Sequence, residues 1–412
     1  MTAPWNEKLD NIQQKHIVIP NAKVNKPYYF LFDIHALGLQ DMGDYQWLIP
    51  DDLGITFDNT TAAFNGIPQQ AGEFTLTLQF RLHMAAADQP FAEKQVRLII
   101  NPDPKSLWKD LPSDQSDPYW QADTAAIKIP FGDRQLLIAS KRGRSHAHEG
   151  KFRDDSFAGY FDAGSGWGII AVADGAGSAK YSRKGAAIAC DTVVAQFKEL
   201  VAGEKMAALE DAISAYLKEA GTTEQTNVNR RFTEQLGQIA LDAQKNIKQE
   251  AQTKGADLKD YSTTLIFAIV KKYDAGYVIS SFWVGDGGIG IYDEQTASVT
   301  VLGTPDSGEF AGQTRFLTMQ EIFADGAYAN RIRFKVVPAF TALLLMTDGI
   351  TDPKFQTDAN LHNIALWKEV WEDLNGKNDD NCPALKSEAD LLNWLDFWSP
   401  GNHDDRTIAI LY

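Results

Sequence analysis

"GIIAVADGAGSAKYS", residues 168–182, decides how most of this chain is read. Small and apolar residues from Gly168 to Ala173 run straight into Asp174-Gly175-Ala176-Gly177-Ser178, with Lys180 close behind. Two chemistries compete for such a stretch: a glycine loop cradling a phosphate, or a strand end presenting one aspartate. The phosphate-loop pattern needs Lys followed by Ser or Thr, and Lys180 is followed by Tyr181. The dinucleotide fingerprint needs a third glycine where Lys180 stands. What remains is an apolar strand ending in Asp-Gly. Aspartate is a short oxygen donor for hard cations, and glycine lets the backbone turn tightly and offer its own carbonyl.

The same device recurs along the chain. VGDGG places Asp286 after the apolar run ISSFWV, and LLLMTDG places Asp348-Gly349 after another. NHDDRTIAIL puts Asp404 and Asp405 just before a final strand, and RDDSF carries Asp154 and Asp155. One Asp-Gly is ordinary turn chemistry. Five acidic sites of this kind in one region are not, because converging carboxylates repel one another unless cations neutralise them. A paired divalent metal site follows, suited to ionising a water and clamping an in-line displacement at phosphorus. For Asp286 a purely structural turn competes evenly with a ligand role.

Around these motifs the pattern changes twice. Phe74, Leu76, Leu78, Phe80 and Leu82 alternate with polar residues, the period of a half-buried strand, and Val96–Ile100 repeats it. With the shorter runs IVIP, YYFLF, ITF and AFNGIP, residues 12–102 read as a small all-β sandwich. NPDPKSLWKDLPSDQSDPYW breaks all periodicity, so residues 103–120 form a linker or a strap. Trp108 and Trp120 favour a strap, since a free linker rarely keeps large aromatics. From 121 to 412 strands flank a helical block. Ala186, Cys190, Val193, Phe197 and Val201 fall at helical spacing, as do Met206, Leu209, Ile213 and Leu217, and Phe232, Leu236, Ile239, Ala243 and Ile247. Strands, helices, strands again, and a last helix and strand give an α+β class.

The bulk properties bound the function. At 412 residues the chain exceeds one compact core. A net charge of −16 argues against nucleic acid as a partner, which needs a basic face. Two cysteines, Cys190 and Cys382, are too few for a disulfide scaffold and form no CxxC pair. MTAPWNEKLDNIQQKH lacks a basic start followed by an apolar core, and no apolar run nears the roughly 20 residues of a membrane span. The expectation is a cytoplasmic protein with no membrane partner. Against the acidic whole, KRGRSHAHEGKFR (141–153) is basic. Alone it reads as a solvated hairpin; beside a metal site it is a candidate mouth for phosphopeptide capture.

Two resemblances stand on these residues. GITFDNTTAAFNGIPQQAGEFTLTLQF (54–80) resembles the immunoglobulin-like repeats of bacterial multidomain proteins, which implies a fold and no chemistry. The order and spacing of the acidic motifs, from about 135 to 412, resemble the metal-dependent serine/threonine protein phosphatases of the PP2C (PPM) family, closest to a bacterial branch. STTLIFAI, GEFAGQTRFLT ending at Thr318, LLLMTDGITDP and GNHDDRTIAIL sharpen the likeness. It implies an αββα sandwich flanked by helices and two Mn²⁺ or Mg²⁺ ions, with a position for a third. Asp174 would bridge them, with the Gly175 carbonyl on the second ion and Asp348 and Asp404 completing the first shell. Asp154 and Asp155 match the acidic pair that holds metal-bound waters. Asp286 matches the aspartate that shares the third, weaker ion with the position of Asp348. The nucleophile would be a metal-bridging water, with no phosphoenzyme. The substrate would be a phosphoserine or phosphothreonine protein, opposed to a cognate kinase in signalling.

The chain departs from that family in three places. The arginine that grips substrate phosphate is missing, so the role falls to His146, Arg144, Lys151 or Arg153, with His146 the catalytic candidate. Ala176 stands where many members carry a histidine proposed as general acid. The acidic pair is Asp-Asp instead of Glu-Asp or Gln-Asp. His403 reads as a turn or supporting residue. Two other readings remain: a phosphatase-like phosphoprotein-binding regulator with little turnover, and a hydrolase of small phosphoesters. The sandwich would dock substrates or brace the catalytic domain.

Overall fold

A computed structural model describes residues 3–83, 85–86, 88–303, 305–306, 314–377 and 383–412. Cys382 and most of GEFAGQT lie outside them. The chain divides into two compact units, one ending at Trp108 and one beginning at Lys109.

In the first unit, a four-stranded sheet (42–48, 72–82, 92–101 and 22–23) and a three-stranded sheet (28–31, 63–66 and 55–58) enclose one core. The period-two reading of the long strand holds: Leu76, Leu78, Phe80 and Leu82 are buried. The sequence reading started this unit at residue 12 and put no helix in it. The structure adds helix α1 (Ala3–Gln14), whose Trp5, Leu9 and Ile12 recur every three to four residues and pack on that core.

In the second unit two antiparallel sheets stack face to face between helices. The five-stranded sheet runs β3 (Ser156–Asp162), β4 (Trp167–Ala173), β5 (Leu265–Tyr273), β6 (Gly276–Val284) and β9 (Ile332–Val337). The six-stranded sheet runs β8 (Ser298–Val301), β7 (Gly288–Asp293), β10 (Ala342–Met346), β11 (Arg406–Leu411), β2 (Arg134–Lys141) and β1 (Thr124–Phe131). Helices α3 (Ser182–Val201), α4 (Glu204–Lys218) and α5 (Thr222–Lys254) cover the first sheet. Helices α7 (Ile364–Leu374) and α8 (Glu388–Trp394) cover the second. In β4, Ile169, Ala171 and Ala173 face the helices while Ile170 and Val172 face the other sheet. A strand buried on both faces explains the unbroken apolar run before Asp174.

The catalytic-region boundary set at residue 121 moves to Lys109. Residues 109–123 are a strap bonded along the second unit. Leu111 N–H donates to the Ala147 carbonyl at 2.9 Å, and Asp117 pairs with Arg183 at 2.7 Å. Arg142, with only 4% of its side chain exposed, binds Asp110 at 2.8 Å and Asp123 at 3.2 Å.

Strand register gathers the acidic motifs at one end of the sandwich. Ser156 pairs with Ala173, and Leu265 with Val284, so Asp155, Asp174 and Asp286 share an end of the first sheet. Gly288 pairs with Met346 and Arg406 with Lys141, which brings Asp348, Asp405 and the segment after β2 to the same end of the second.

Candidate active site

Asp174 is fixed from its backbone. Its N–H donates to Thr264 Oγ1 at 2.9 Å, and its carbonyl accepts from Thr263 Oγ1 at 2.9 Å and Thr264 N–H at 2.8 Å. This is what the STT of STTLIFAI does. Gly175 permits the close approach of two neighbours: a Cβ there would sit 2.6 Å from the Asp154 carbonyl oxygen and 2.8 Å from Ser182 C. Gly349 is equally constrained, since its Cβ would fall 1.8 Å from the Asp405 carbonyl oxygen. The glycines after Asp174 and Asp348 therefore let neighbouring segments at each sheet end pack closely.

The side chains converge in two groups. Carboxylate oxygens of Asp174, Asp286 and Asp348 lie within 4.8 Å of one another, and so do ligand atoms of His146, Asp404 and Asp405. Asp286 is thus grouped with Asp174 and Asp348, and Thr314 Oγ1 donates to its Oδ2. The charge repulsion is severe: burial first, then Asp348, Asp155, Asp404 and Asp286, push the Asp174 carboxyl well above its usual range. Burial and then Asp286 and Asp404 do the same to Asp348. Burial and the charge of Asp405 raise Asp154 and Asp155 each to about 7. Oδ1 of Asp286 and Oδ1 of Asp348 are buried with no hydrogen-bond partner. Buried acceptors without donors are costly, and a divalent cation is the partner that satisfies oxygens and cancels charge together. The donor set, all carboxylate with a nearby carbonyl at Gly175, fits a hard ion.

Asp405, which the sequence reading did not rank among the site residues, organises the second group. Its Oδ1 accepts from Gly143 N–H at 2.6 Å and faces His146 Nδ1 at 3.0 Å, and its Oδ2 accepts from Asp154 N–H. His146 sits on the short helix α2 (Arg144–Glu149) and turns Nε2 toward Asp404, 4.0 Å away. Burial disfavours the imidazolium, but the bond to Asp405 and the charges of Asp405, Asp404 and Asp154 outweigh it and raise the pKa to about 9. The Asp404 side chain remains 49% exposed. Asp155 is only 1% exposed and accepts from Thr347 Oγ1 at 2.9 Å and Thr407 Oγ1 at 2.6 Å. Asp352, four residues after Asp348 in helix α6 (Asp348–Phe355), was also missed. Burial and Asp286 raise its pKa, and the i,i+4 spacing was the available signal.

Three phosphate-binding candidates are committed elsewhere. Arg153 is 5% exposed and donates to the Ala122 carbonyl, Ser140 Oγ and the Asp155 carbonyl. Arg144 binds the carbonyls of Asp396 and Phe397 and the Asp396 carboxylate. Lys151 pairs with Glu149 at 2.6 Å on the surface. These three cations of the basic run have donors occupied by carbonyls or by carboxylates outside the acidic cluster. Of the four, His146 alone lies within ion-pair distance of Asp404 and Asp405. His403 lies beside Trp398, with ring centroids 4.9 Å apart.

No curated protein matches the chain. Among solved structures, a bacterial serine phosphatase shares 14% identity, covering 67% of this chain and 96% of its own, at a TM-score of 0.40. The serine-threonine phosphatase 2C of Toxoplasma gondii shares 15%, with 70% and 98% covered and a TM-score of 0.44. PppA, a regulatory component of T6SS in Pseudomonas aeruginosa, shares 14%, with 69% and 99% covered and a TM-score of 0.37. The profile of the protein phosphatase 2C family matches residues 142–396, more than half of the chain, a span holding Asp154, Asp155, Asp174, Asp286 and Asp348. On that match the chain belongs to the protein phosphatase 2C family.

Proposed function

We propose that the second unit is a metal-dependent protein serine/threonine phosphatase with a binuclear Mn²⁺ or Mg²⁺ centre. The observation that carries this reading is the convergence of Asp174, Asp286 and Asp348, two of whose buried oxygens have no donor. Asp174, Asp348, Asp404 and the Gly175 carbonyl would hold the two ions, Asp154 and Asp155 would hold their waters, and Asp286 would share a third ion with Asp348. Bound there, the ions would supply an acidified water and withdraw charge from the phosphoryl group.

The protein's own groups do the rest. Asp405 holds the His146 ring by its Nδ1 edge, leaving Nε2 on the Asp404 side to donate to a phosphoryl oxygen or leaving group. Ala176 carries no donor, so His146 takes both roles in this reading. Thr347 and Thr407 keep Asp155 oriented. A phosphoprotein is the substrate, and a cognate kinase makes it. The first unit serves docking or bracing.

Hydrolysis of p-nitrophenyl phosphate and of a phosphothreonine peptide, with Mn²⁺ or Mg²⁺ added, tests the reading. Turnover that EDTA and Asp174→Asn both abolish supports it. Turnover surviving either one sinks the metal mechanism, and none on either substrate makes the chain a phosphoprotein-binding regulator.

A further inference from the structure

The acidic pair is held by a residue from outside the family's matched span. Strand β3 is the edge of its sheet, so the carbonyls at its entry have no neighbouring strand. The strap fills that place. The Gln121 carboxamide N–H₂ donates to the carbonyl of Arg153 and, at 3.1 Å, to that of Asp155. Arg153 answers by donating through Nε to the Ala122 carbonyl at 2.9 Å and through Nη1 to the Asp155 carbonyl at 2.7 Å. Between them, Asp154 N–H is taken by Asp405. Three consecutive residues, 153 to 155, are thus pinned by groups that do not belong to β3. Around this clamp, Lys109 N–H donates to His148 Nδ1 at 3.0 Å. The Arg183 guanidinium donates to the Tyr119 carbonyl at 2.9 Å and lies 3.7 Å above the Phe152 ring.

We propose that Gln121 is a positioning residue for Asp154 and Asp155, making the strap at the start of the second unit part of the metal-binding machinery. The physical basis is pre-organisation. Without the carboxamide, the Arg153 carbonyl loses this donor and the Asp155 carbonyl keeps only the Arg153 guanidinium, so the segment between them is freer to rotate. That rotation swings both carboxylates, which repel each other and Asp405 and leave the ready-made arrangement. The inference rests on the metal-dependent phosphatase reading.

The test is Mn²⁺ titration of the full chain by calorimetry, alongside p-nitrophenyl phosphate hydrolysis against Mn²⁺ concentration. Gln121→Met keeps the shape and removes the donor. Gln121→Asn, polar but too short to reach both carbonyls, serves if the methionine variant does not fold. Expected are a Mn²⁺ affinity weaker by about tenfold or more, the size of effect typical of groups that orient metal ligands, and a kcat that returns to the wild-type value at saturating Mn²⁺. A residue that only stabilised the fold would lower the melting temperature in EDTA and leave the Mn²⁺ affinity unmoved. Wild-type affinity in a folded variant overturns the proposal and leaves the phosphatase reading intact. A wild type that neither binds Mn²⁺ nor turns over takes both down.

Discussion

Stripped of divalent cations, the second unit loses stability as the pH rises from about 4 to about 7, the reverse of ordinary acid denaturation. Asp154 sets the size of the effect. Its carboxyl, 7% exposed, has a pKa raised from 3.8 to about 7 by burial and by Asp405. Between those values the native state holds a proton that the unfolded chain has released. The contribution is therefore favourable below about 4 and disappears as the pH climbs through about 7. A rise of about three units corresponds to about 4 kcal/mol. Asp155 acts in the same direction. So does His146, whose raised pKa gives stability present below 6.5 and lost as the pH passes about 9. Urea unfolding in EDTA at about pH 5 and about pH 7.5, followed by tryptophan fluorescence, measures the slope directly. Asp154→Asn sharpens it. In EDTA at about pH 7.5 the variant, carrying no charge there, is more stable than the wild type by up to about 4 kcal/mol. With Mn²⁺ present the order reverses. A metal-free wild type as stable at the higher pH as at the lower, or a variant less stable in EDTA, refutes the reasoning.

Two further outcomes follow from the same geometry. Gly175→Ala places a Cβ 2.6 Å from the Asp154 carbonyl oxygen; forcing these backbones apart costs about 1–3 kcal/mol. It should lower the melting temperature in EDTA and reduce p-nitrophenyl phosphate turnover, and an unchanged protein would show that the contact is loose. His146→Gln should lower kcat by about 10²-fold, the scale of general acid catalysis, and remove the alkaline fall in the pH–rate profile. A cation on Asp404 weakens one of the charges that raise the imidazole, so that fall in the loaded enzyme lies below about 9. A variant that keeps the alkaline limb assigns it to another group.

Much of the site was visible in the sequence because its chemistry is local. An apolar strand that ends in Asp-Gly announces both its burial and its turn, and the motifs at Asp174, Asp286 and Asp348 each carry this signal. Helical spacing in α3, α4 and α5 and the alternation of Phe74–Leu82 are likewise periodic, so the α+β class was readable from pattern alone. The extra helix α1 has the spacing, but it is short and polar enough to pass for a tail.

What tertiary structure decided is which side chain faces which. Arg144, Lys151 and Arg153 share one basic run with His146, yet only the imidazole lies within ion-pair distance of Asp404 and Asp405. Position along a strand or helix says nothing of partners more than 200 residues away, such as Asp396 for Arg144 or Asp405 for His146. The strap shows the same limit. Proline and aspartate left residues 103–120 readable as a linker or a strap, and only Trp108 and Trp120 favoured the strap, because irregular chain shows little in sequence beyond its loss of periodicity. Whether such a chain floats or is tied down depends on donors and acceptors folded against it, and Arg142, Arg153 and Arg183 supply them. The sequence by itself determined which carboxylates stand at the strand ends and the α+β pattern that carries them. Only the fold determined that Asp405 and Gln121 bond to the segment carrying Asp154 and Asp155, since a supporting hydrogen bond leaves no mark on the sequence of either partner.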